Sequence, residues 1–206
     1  TSNCEVMAEQ ASGGLAGAAP YFGGHSQWII DSYAHGSVTG SVAGGLIGVA
    51  SALRVVDSYA ACTMIPMMSE TEPAAAVLGG LFGEVDTSRP PLVIASFWDT
   101  EVSGVPLSSG TGTQHFGMGL DTAQMQQVVT FEQAGWDFDA TWTIPDHDYL
   151  VLQWELAGAV DEGPVLDDDH ATRALAGHQV PDFRCCIVRM WRKAISVGKM
   201  FATRSR

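Results

Sequence analysis

The stretch Gly24-His25-Ser26-Gln27-Trp28 contains the residue types of a serine-hydrolase active site. A Ser nucleophile could cleave an ester if a His accepted its proton and an Asp oriented that His. The nucleophile elbow of such enzymes has the pattern Gly-x-Ser-x-Gly on a turn from a strand to a helix. Here Trp28 replaces the second Gly, and no alternation of strands and helices surrounds the stretch. We therefore interpret it as a polar loop, with Ser26 and His25 as the candidate residues of an alternative, esterase-like hydrolase.

Asp31 and Asp57 form a second candidate site, because each stands directly before Ser-Tyr-Ala in a matching string. Glycoside cleavage needs two carboxyl groups about 5–9.5 Å apart. If the two strings lie on adjacent parallel strands, equivalent side chains are separated by about 4.8 Å. The pair therefore suits polysaccharide cleavage. Short polar residues in such positions also form turns, and we favour that structural role.

Paired acids recur in the C-terminal half, at Asp137 and Asp139 and at Asp146 and Asp148. Oxygen-rich clusters of this kind can supply the ligands of Ca²⁺. The spacing does not match an EF-hand loop, and a short acidic residue in a Trp-Asp-Phe string is equally suited to a turn. We predict no cofactor, with Ca²⁺ at these four aspartates as the alternative.

These residues must be positioned by a repeated structure, because two strings recur along the chain. The string Gly-Gly-Leu-x-Gly begins at residues 13, 44 and 79, and its copies are separated by 31 and 35 residues. After each copy comes an apolar residue, a short residue, Ser and an aromatic residue. The repeated positions are Gly13, Gly14 and Leu15, Gly44, Gly45 and Leu46, Gly79, Gly80 and Leu81, and the aromatic residues Tyr33, Tyr59 and Phe97.

This periodicity predicts an all-β fold, a parallel β-solenoid of about three repeats. Short β-branched segments such as 36–39 would form its strands. The glycine pairs would let the backbone bend with positive φ and let neighbouring coils approach closely. The leucines would stack inside as one ladder, and the aromatic residues would form a second ladder in the same way.

Composition divides the chain into four segments. Residues 1–110 contain the repeats, and residues 111–156 have three Trp and a short helix predicted after an N-cap at Asp121 or Thr122, which indicates a C-terminal cap module. Residues 157–186 have the composition of a linker. Residues 187–206 have apolar residues at helical spacing among Arg and Lys, which predicts a short, basic, amphipathic helical tail.

Charge is distributed unevenly between these segments. Residues 1–169 contain 22 of the 23 acidic side chains and only two of the ten Lys and Arg, namely Arg54 and Arg89. So acidic a body repels the closely spaced phosphates of a nucleic acid, which argues against nucleic acid as a partner. The basic tail would cover an end of the repeats or pair with the body. Contact with a membrane surface through Trp191 and Phe201 is the less favoured alternative.

The four cysteines, Cys4, Cys62, Cys185 and Cys186, permit disulfides but do not determine their pairing. The absence of a Cys-x-x-Cys motif argues against a zinc ribbon. Because the chain lacks an initial Met and a basic-then-apolar leader, it is similar to a mature secreted chain or to a fragment of a longer protein.

The repeated strings resemble those of proteins with the GLUG motif, named for Gly-Leu-x-Gly. The best match is Ile30-Asp31-Ser32-Tyr33-Ala34-His35-Gly36-Ser37-Val38-Thr39-Gly40 followed by Gly44-Gly45-Leu46-Ile47-Gly48. The segment from Ser96-Phe97-Trp98 to Gly135-Trp136-Asp137-Phe138 is similar to the one that closes such arrays. The resemblance covers about residues 12–154. It implies a right-handed β-solenoid in a bacterial surface or secreted protein, such as an adhesin-like protein or the non-catalytic region of an immunoglobulin A peptidase, and it implies no catalytic residues.

We therefore predict a non-enzymatic repeat segment of a bacterial cell-surface or secreted protein. Its function would be adhesion or the binding of a polysaccharide or protein ligand. The alternative is a secreted hydrolase, either esterase-like through Ser26 or polysaccharide-cleaving through Asp31 and Asp57.

Overall fold

A computed structural model describes residues 4–21, 27–67, 75–111, 115–145 and 148–158. Strands predominate in this part of the chain, and its helices are short. None of these helices has the length and apolar character needed to cross a membrane. The strands are β1 (Cys4–Gly13), β2 (Ala16–Ala19), β3 (Gln27–Ile30), β4 (Tyr33–Gly44), β5 (Ile47–Ala50), β6 (Leu53–Val56), β7 (Tyr59–Pro66), β8 (Val77–Gly79), β9 (Phe82–Val85), β10 (Leu92–Ile94), β11 (Phe97–Asp99), β12 (Met118–Leu120), β13 (Trp142–Thr143) and β14 (Val151–Leu152). The helices are α1 (Thr100–Ser103), α2 (Thr122–Met125), α3 (Val128–Gln133) and α4 (Gln153–Gly158).

Three parallel sheets dominate the fold, and the chain visits them in a fixed order. Sheet 1 has the order β1-β4-β7-β11-β12, with β8 also paired to β4. Sheet 2 contains β2-β5-β9, and sheet 3 contains β10-β6-β3. Each passage of the chain through sheet 1, then sheet 2, then sheet 3 is called a coil here. In the third coil, sheet 1 receives both β7 and β8. The prediction of an all-β fold with parallel sheets is confirmed.

The repeated strings occupy equivalent places in successive coils. Gly13 pairs with Gly44, and Gly44 pairs with Gly79. The strands that follow align Tyr33 with Tyr59, and Tyr59 with Phe97. The aromatic residue therefore begins β4, β7 and β11, and the first glycine of each pair ends β1, β4 and β8.

Close approach explains the glycine pairs, whereas the expected positive φ is wrong. All six of these glycines lie in the described part of the chain, and none has a left-handed backbone. A Cβ on Gly45 would overlap the carbonyl oxygen of Gly80, and a Cβ on Gly80 would overlap the indole ring of Trp98. A side chain at either position would thus separate adjacent coils or displace the core.

Positive φ occurs instead at the corner between sheet 3 and sheet 1. Asp31 and Asp57 have φ of 47°, and Ala95 has φ of 43°. At each corner the following serine donates its hydroxyl hydrogen to the carbonyl two residues earlier, at 2.8 Å. The backbone N–H of Ser32 donates to Oγ of Ser58, at 3.2 Å. This last bond connects the corners of two successive coils.

Two hydrophobic cores lie on opposite faces of sheet 1. The inner core is enclosed by the three sheets and contains Leu46 and Leu81, both fully buried, with Leu15 partly buried against it. The outer core contains Tyr59 and Phe97, which alternate along their strands with inner-core residues. The aromatic ladder therefore faces away from the inner core, unlike the ladder of leucines.

The C-terminal module packs on this outer face of sheet 1. Its β12 extends the sheet beside β11, and Phe131, Trp136 and Trp142 are buried in the outer core. The predicted N-cap is confirmed, because Oδ1 of Asp121 accepts a 2.7 Å hydrogen bond from the backbone N–H of Gln124. The basic tail and residues 159–186 of the predicted linker lie outside the described residues.

Candidate functional site

The outer surface of sheet 3 exposes large apolar side chains on neighbouring strands. Alternation along these strands places Ile29 and Val55 in the inner core. The residues that alternate with these buried positions point outward. They form what we call the sheet 3 face: Trp28, Ile30, Arg54, Val56, Leu92 and Ile94.

Two rows of side chains cross this face. Arg54 pairs with Trp28 on one side and with Leu92 on the other. Ile30, Val56 and Ile94 form the second row in the same way. Trp28, Ile30, Leu92 and Ile94 are 47–49% exposed. Large apolar side chains that are exposed together in this way indicate an interaction surface.

Each of the two basic residues of the acidic body lies over an aromatic ring in this region. The guanidinium carbon of Arg54 is 4.8 Å from the centroid of the Trp28 ring. That of Arg89 is 4.6 Å from the centroid of the Tyr21 ring. The backbone N–H of Ala52, two residues before Arg54, donates to the carbonyl of Arg89 at 2.8 Å, so the backbone segments that carry the two arginines adjoin.

The predicted acid pair borders the sheet 3 face. Asp31 directly follows Ile30, and Asp57 directly follows Val56, at equivalent corners. Partial burial raises the pKa of Asp57, and the negative charge of Asp31 raises it further. The structure thus brings the two carboxyl groups close enough to interact, in the corner conformation described above.

The esterase-like alternative depends on His25 and Ser26, which lie outside the described residues. The residues immediately after them form β3, and the next element is β4. A nucleophile elbow requires a helix at this point. The assignment of Ser26 as a nucleophile stays a prediction.

The structure describes three of the four predicted calcium ligands, Asp137, Asp139 and Asp148. Oδ1 of Asp137 accepts the backbone N–H groups of Asp139 and Ala140, at 2.9 and 3.0 Å, which is the geometry of a turn. Asp139 and Asp148 are exposed, and Asp146 is outside the described residues. Within the described ranges, no three His, Cys, Asp or Glu side chains group as metal ligands would.

Sequence reasoning missed a hydrogen-bonded cluster beneath the C-terminal module. Oη of Tyr59 donates to the carbonyl of Leu150 at 2.5 Å, and it lies 2.6 Å from Nε2 of His35. Because the Tyr59 proton is used, Nε2 of His35 must carry a hydrogen and donate. The His35 ring also packs edge-on against the rings of Tyr33 and Tyr149.

Burial controls the protonation of this cluster. It lowers the pKa of His35 to about 4, although the charges of Asp148 and Asp99 act in the opposite direction. It also raises the pKa of Tyr59 and, together with a hydrogen bond to Asp99, that of Tyr149. A neutral His and two protonated Tyr therefore join sheet 1 to the C-terminal module. The sequence did not predict this cluster, because its residues are far apart along the chain and meet only in the folded structure.

No protein-family model matches the chain. A protein of Evansella cellulosilytica named as a Gly-rich membrane protein is 35% identical over 156 residues, which is 70% of this chain and 17% of that protein. Among solved structures, a Bacteroides ovatus protein named as an immunoglobulin A1 protease superposes with a TM-score of 0.51 and 17% identity, over 74% of this chain and 56% of that chain. In each of the two names, the role of that protein is an inferred one. The structural likeness concerns the fold alone, and this chain spans only part of the length of either protein.

Proposed function

We propose that this chain is a non-catalytic, ligand-binding region of a bacterial cell-surface or secreted protein. The names of the two similar proteins support the location, since one is named as a membrane protein and the other as a protease of an immunoglobulin. The ligand would be an extended polysaccharide or a protein surface.

In this proposal the three sheets are the faces of a β-solenoid built from GLUG-type repeats. The fixed order of sheets and the alignment of Gly13, Gly44 and Gly79 support it. The solenoid would be right-handed, because parallel strands joined by a crossover connection are right-handed in about 98% of cases.

The main support for a binding function is the sheet 3 face. Its exposed apolar rows would favour contact with a partner, since removing apolar surface from water contributes about 25 cal/mol per Å². A row that contains both Trp28 and Arg54 combines two of the three residue types, Trp, Tyr and Arg, that most often dominate binding energy at interfaces. A flat face made of parallel strands suits an extended ligand that crosses several coils.

The test is a binding screen of the full chain on arrayed bacterial and host polysaccharides and host surface proteins, with two matched variants. Trp28→Ala removes the aromatic ring from the sheet 3 face. Trp154→Ala removes a ring that is 49% exposed on α4, close to the 47% of Trp28. We expect Trp28→Ala to weaken binding at least tenfold, or about 1.4 kcal/mol, and Trp154→Ala to leave it unchanged.

Equal affinities for the two variants would contradict the assignment of the sheet 3 face. Binding to no polysaccharide or protein ligand would contradict the proposed function. Release of reducing ends in the same mixtures, lost in Asp57→Asn, would instead favour the polysaccharide-cleaving alternative. The raised pKa of Asp57 beside Asp31 is the observation behind that alternative.

A further inference from the structure

We infer that the ligand of the sheet 3 face is an anionic polysaccharide, with its carboxylates on Arg54 and Arg89 and its sugar rings on the apolar rows. This inference rests on the proposed binding function and specifies the chemistry of the ligand.

Positive charge in the acidic body is confined to the neighbourhood of the sheet 3 face. Residues 1–169 contain two Lys or Arg against 22 acids, and both of these basic residues lie in one region. In so acidic a chain an Arg is expected to pair with a carboxylate of the protein. In the part of the chain that the structure describes, Arg54 and Arg89 instead lie over the rings of Trp28 and Tyr21.

Stacking on an aromatic ring orients each guanidinium. The group is planar, and its five N–H donors point outward from its edges. A ring against one face fixes the plane and leaves the donor edges available. Such a guanidinium binds a carboxylate through two parallel hydrogen bonds, which a lysine ammonium cannot do.

Spacing favours a polysaccharide over an acidic peptide. Trp28, Arg54 and Leu92 repeat at the distance between strands, which is about 4.8 Å. An extended pyranose chain advances by a similar distance for each sugar. An extended peptide repeats its side chains on one face only every two residues, or about 6.6–6.8 Å, and would lose register within the row.

At physiological ionic strength the acidic body opposes this ligand less than it opposes nucleic acid, because a DNA duplex carries one negative charge per about 1.7 Å of its axis and the proposed polymer carries at most one carboxylate per sugar ring. Exposed charges further apart than about 8 Å are largely screened under these conditions. Asp31 and Asp57, at the border of the sheet 3 face, are close enough to repel a carboxylate. They would direct the charged groups of the ligand toward Arg54 and Arg89, at the other end of the strands.

The experiment measures binding of the full chain to three polysaccharide probes in calcium-free buffer. The probes are polygalacturonate, the same polymer with its carboxylates methyl-esterified, and a neutral glucan; polyglutamate is the peptide control. The variants are Arg54→Gln, Arg89→Gln, Arg54→Lys and Trp28→Ala. We expect polygalacturonate to bind best, each Gln variant to weaken it about three- to tenfold, and Arg54→Lys to restore only part of the loss.

The outcomes separate this inference from the proposed function. Binding of the esterified polymer or the glucan that is lost in Trp28→Ala but unaffected by both Gln variants would overturn the inference and leave the proposed function intact. Equal, arginine-dependent binding of polyglutamate would overturn the choice of a polysaccharide. Absence of binding to all four probes would overturn the inference, and the broader array described above would then decide the proposed function.

Discussion

The corner residue before each serine shows that a repeated acid can have a conformational role. Asp31 and Asp57 have positive φ, a region in which Asp and Asn are enriched among residues other than Gly. Ala95 occupies the same corner in the third coil with nearly the same φ. A position that accepts Ala cannot depend on a carboxylate for its structure. The two aspartates therefore adopt the corner conformation without needing their carboxyl groups for it, and both lie at the border of the sheet 3 face.

A residue-scale prediction concerns His35, whose folded pKa of about 4 lies below its unfolded value of 6.5. Between these values the unfolded chain binds a proton that the folded chain does not, so stability falls as the pH falls through this window. At about pH 5 we expect His35 to cost the fold about 2 kcal/mol relative to about pH 7.5.

His35→Gln removes this titration and keeps an N–H donor for Tyr59. Urea unfolding of both proteins at the two pH values measures the effect. The loss of stability on acidification should be about 2 kcal/mol smaller in the variant. The prediction fails if both proteins lose the same free energy, since the carboxyl groups common to both would then account for all of it.

At the scale of elements, one buried carboxylate joins the last strand of the stack to the C-terminal module. Asp99 ends β11, and its Oδ1 accepts the backbone N–H groups of Glu101 and Val102 at the start of α1, at 2.9 and 2.8 Å. Its Oδ2 accepts the hydroxyl groups of Thr122 at 2.8 Å and Tyr149 at 2.5 Å. The orientation of three elements thus depends on a single side chain.

Substitution of the two aspartate N-caps tests this dependence. Asp121→Ala removes an exposed cap and should cost about 0.5–2 kcal/mol. Asp99→Ala should cost that amount and about 1–3 kcal/mol more, because the hydroxyl groups of Thr122 and Tyr149 lose a buried acceptor. Urea unfolding measures both values. Equal losses would mean that Asp99 acts only as a helix cap.

At the scale of the whole molecule, the two cores share sheet 1. Tyr59 and Ala60 are neighbours on β7, and one packs in the outer core while the other packs in the inner core. Loss of either core would expose one face of the same strands. The repeats and the C-terminal module should therefore unfold as one cooperative unit.

Trp142→Ala tests this cooperativity, because Trp142 is fully buried in the outer core and far from the sheet 3 face in sequence. We expect a loss of about 3–5 kcal/mol and a single, shifted unfolding transition. Circular dichroism follows the strands, and fluorescence follows the remaining tryptophans. Trp154→Ala is the exposed control and should change stability by less than about 0.5 kcal/mol. Two separated transitions in Trp142→Ala would show that the module is an independent unit.

Features that depend on local geometry or on repetition could be predicted from the sequence. The order of the repeated strings predicted an all-β fold, because equivalent residues of a repeat tend to stack and pair. The N-cap at Asp121 could be predicted because a helix start depends on only a few consecutive residues.

Only the tertiary structure decided which face each side chain takes. Period-two alternation places Tyr59 and Ala60 on opposite faces of a strand, but the closure of three sheets around one core determined that the aromatic residue faces outward. The pairing of His35 with Tyr59 and of Arg54 with Trp28 likewise required residues 24 and 26 positions apart to meet on adjacent strands. The sequence by itself determined a repeating arrangement of strands, because the repeated strings recur in a fixed order along the chain. The candidate binding face and the hydrogen-bonded cluster arose from packing between coils, which depends on distances that no single repeat contains.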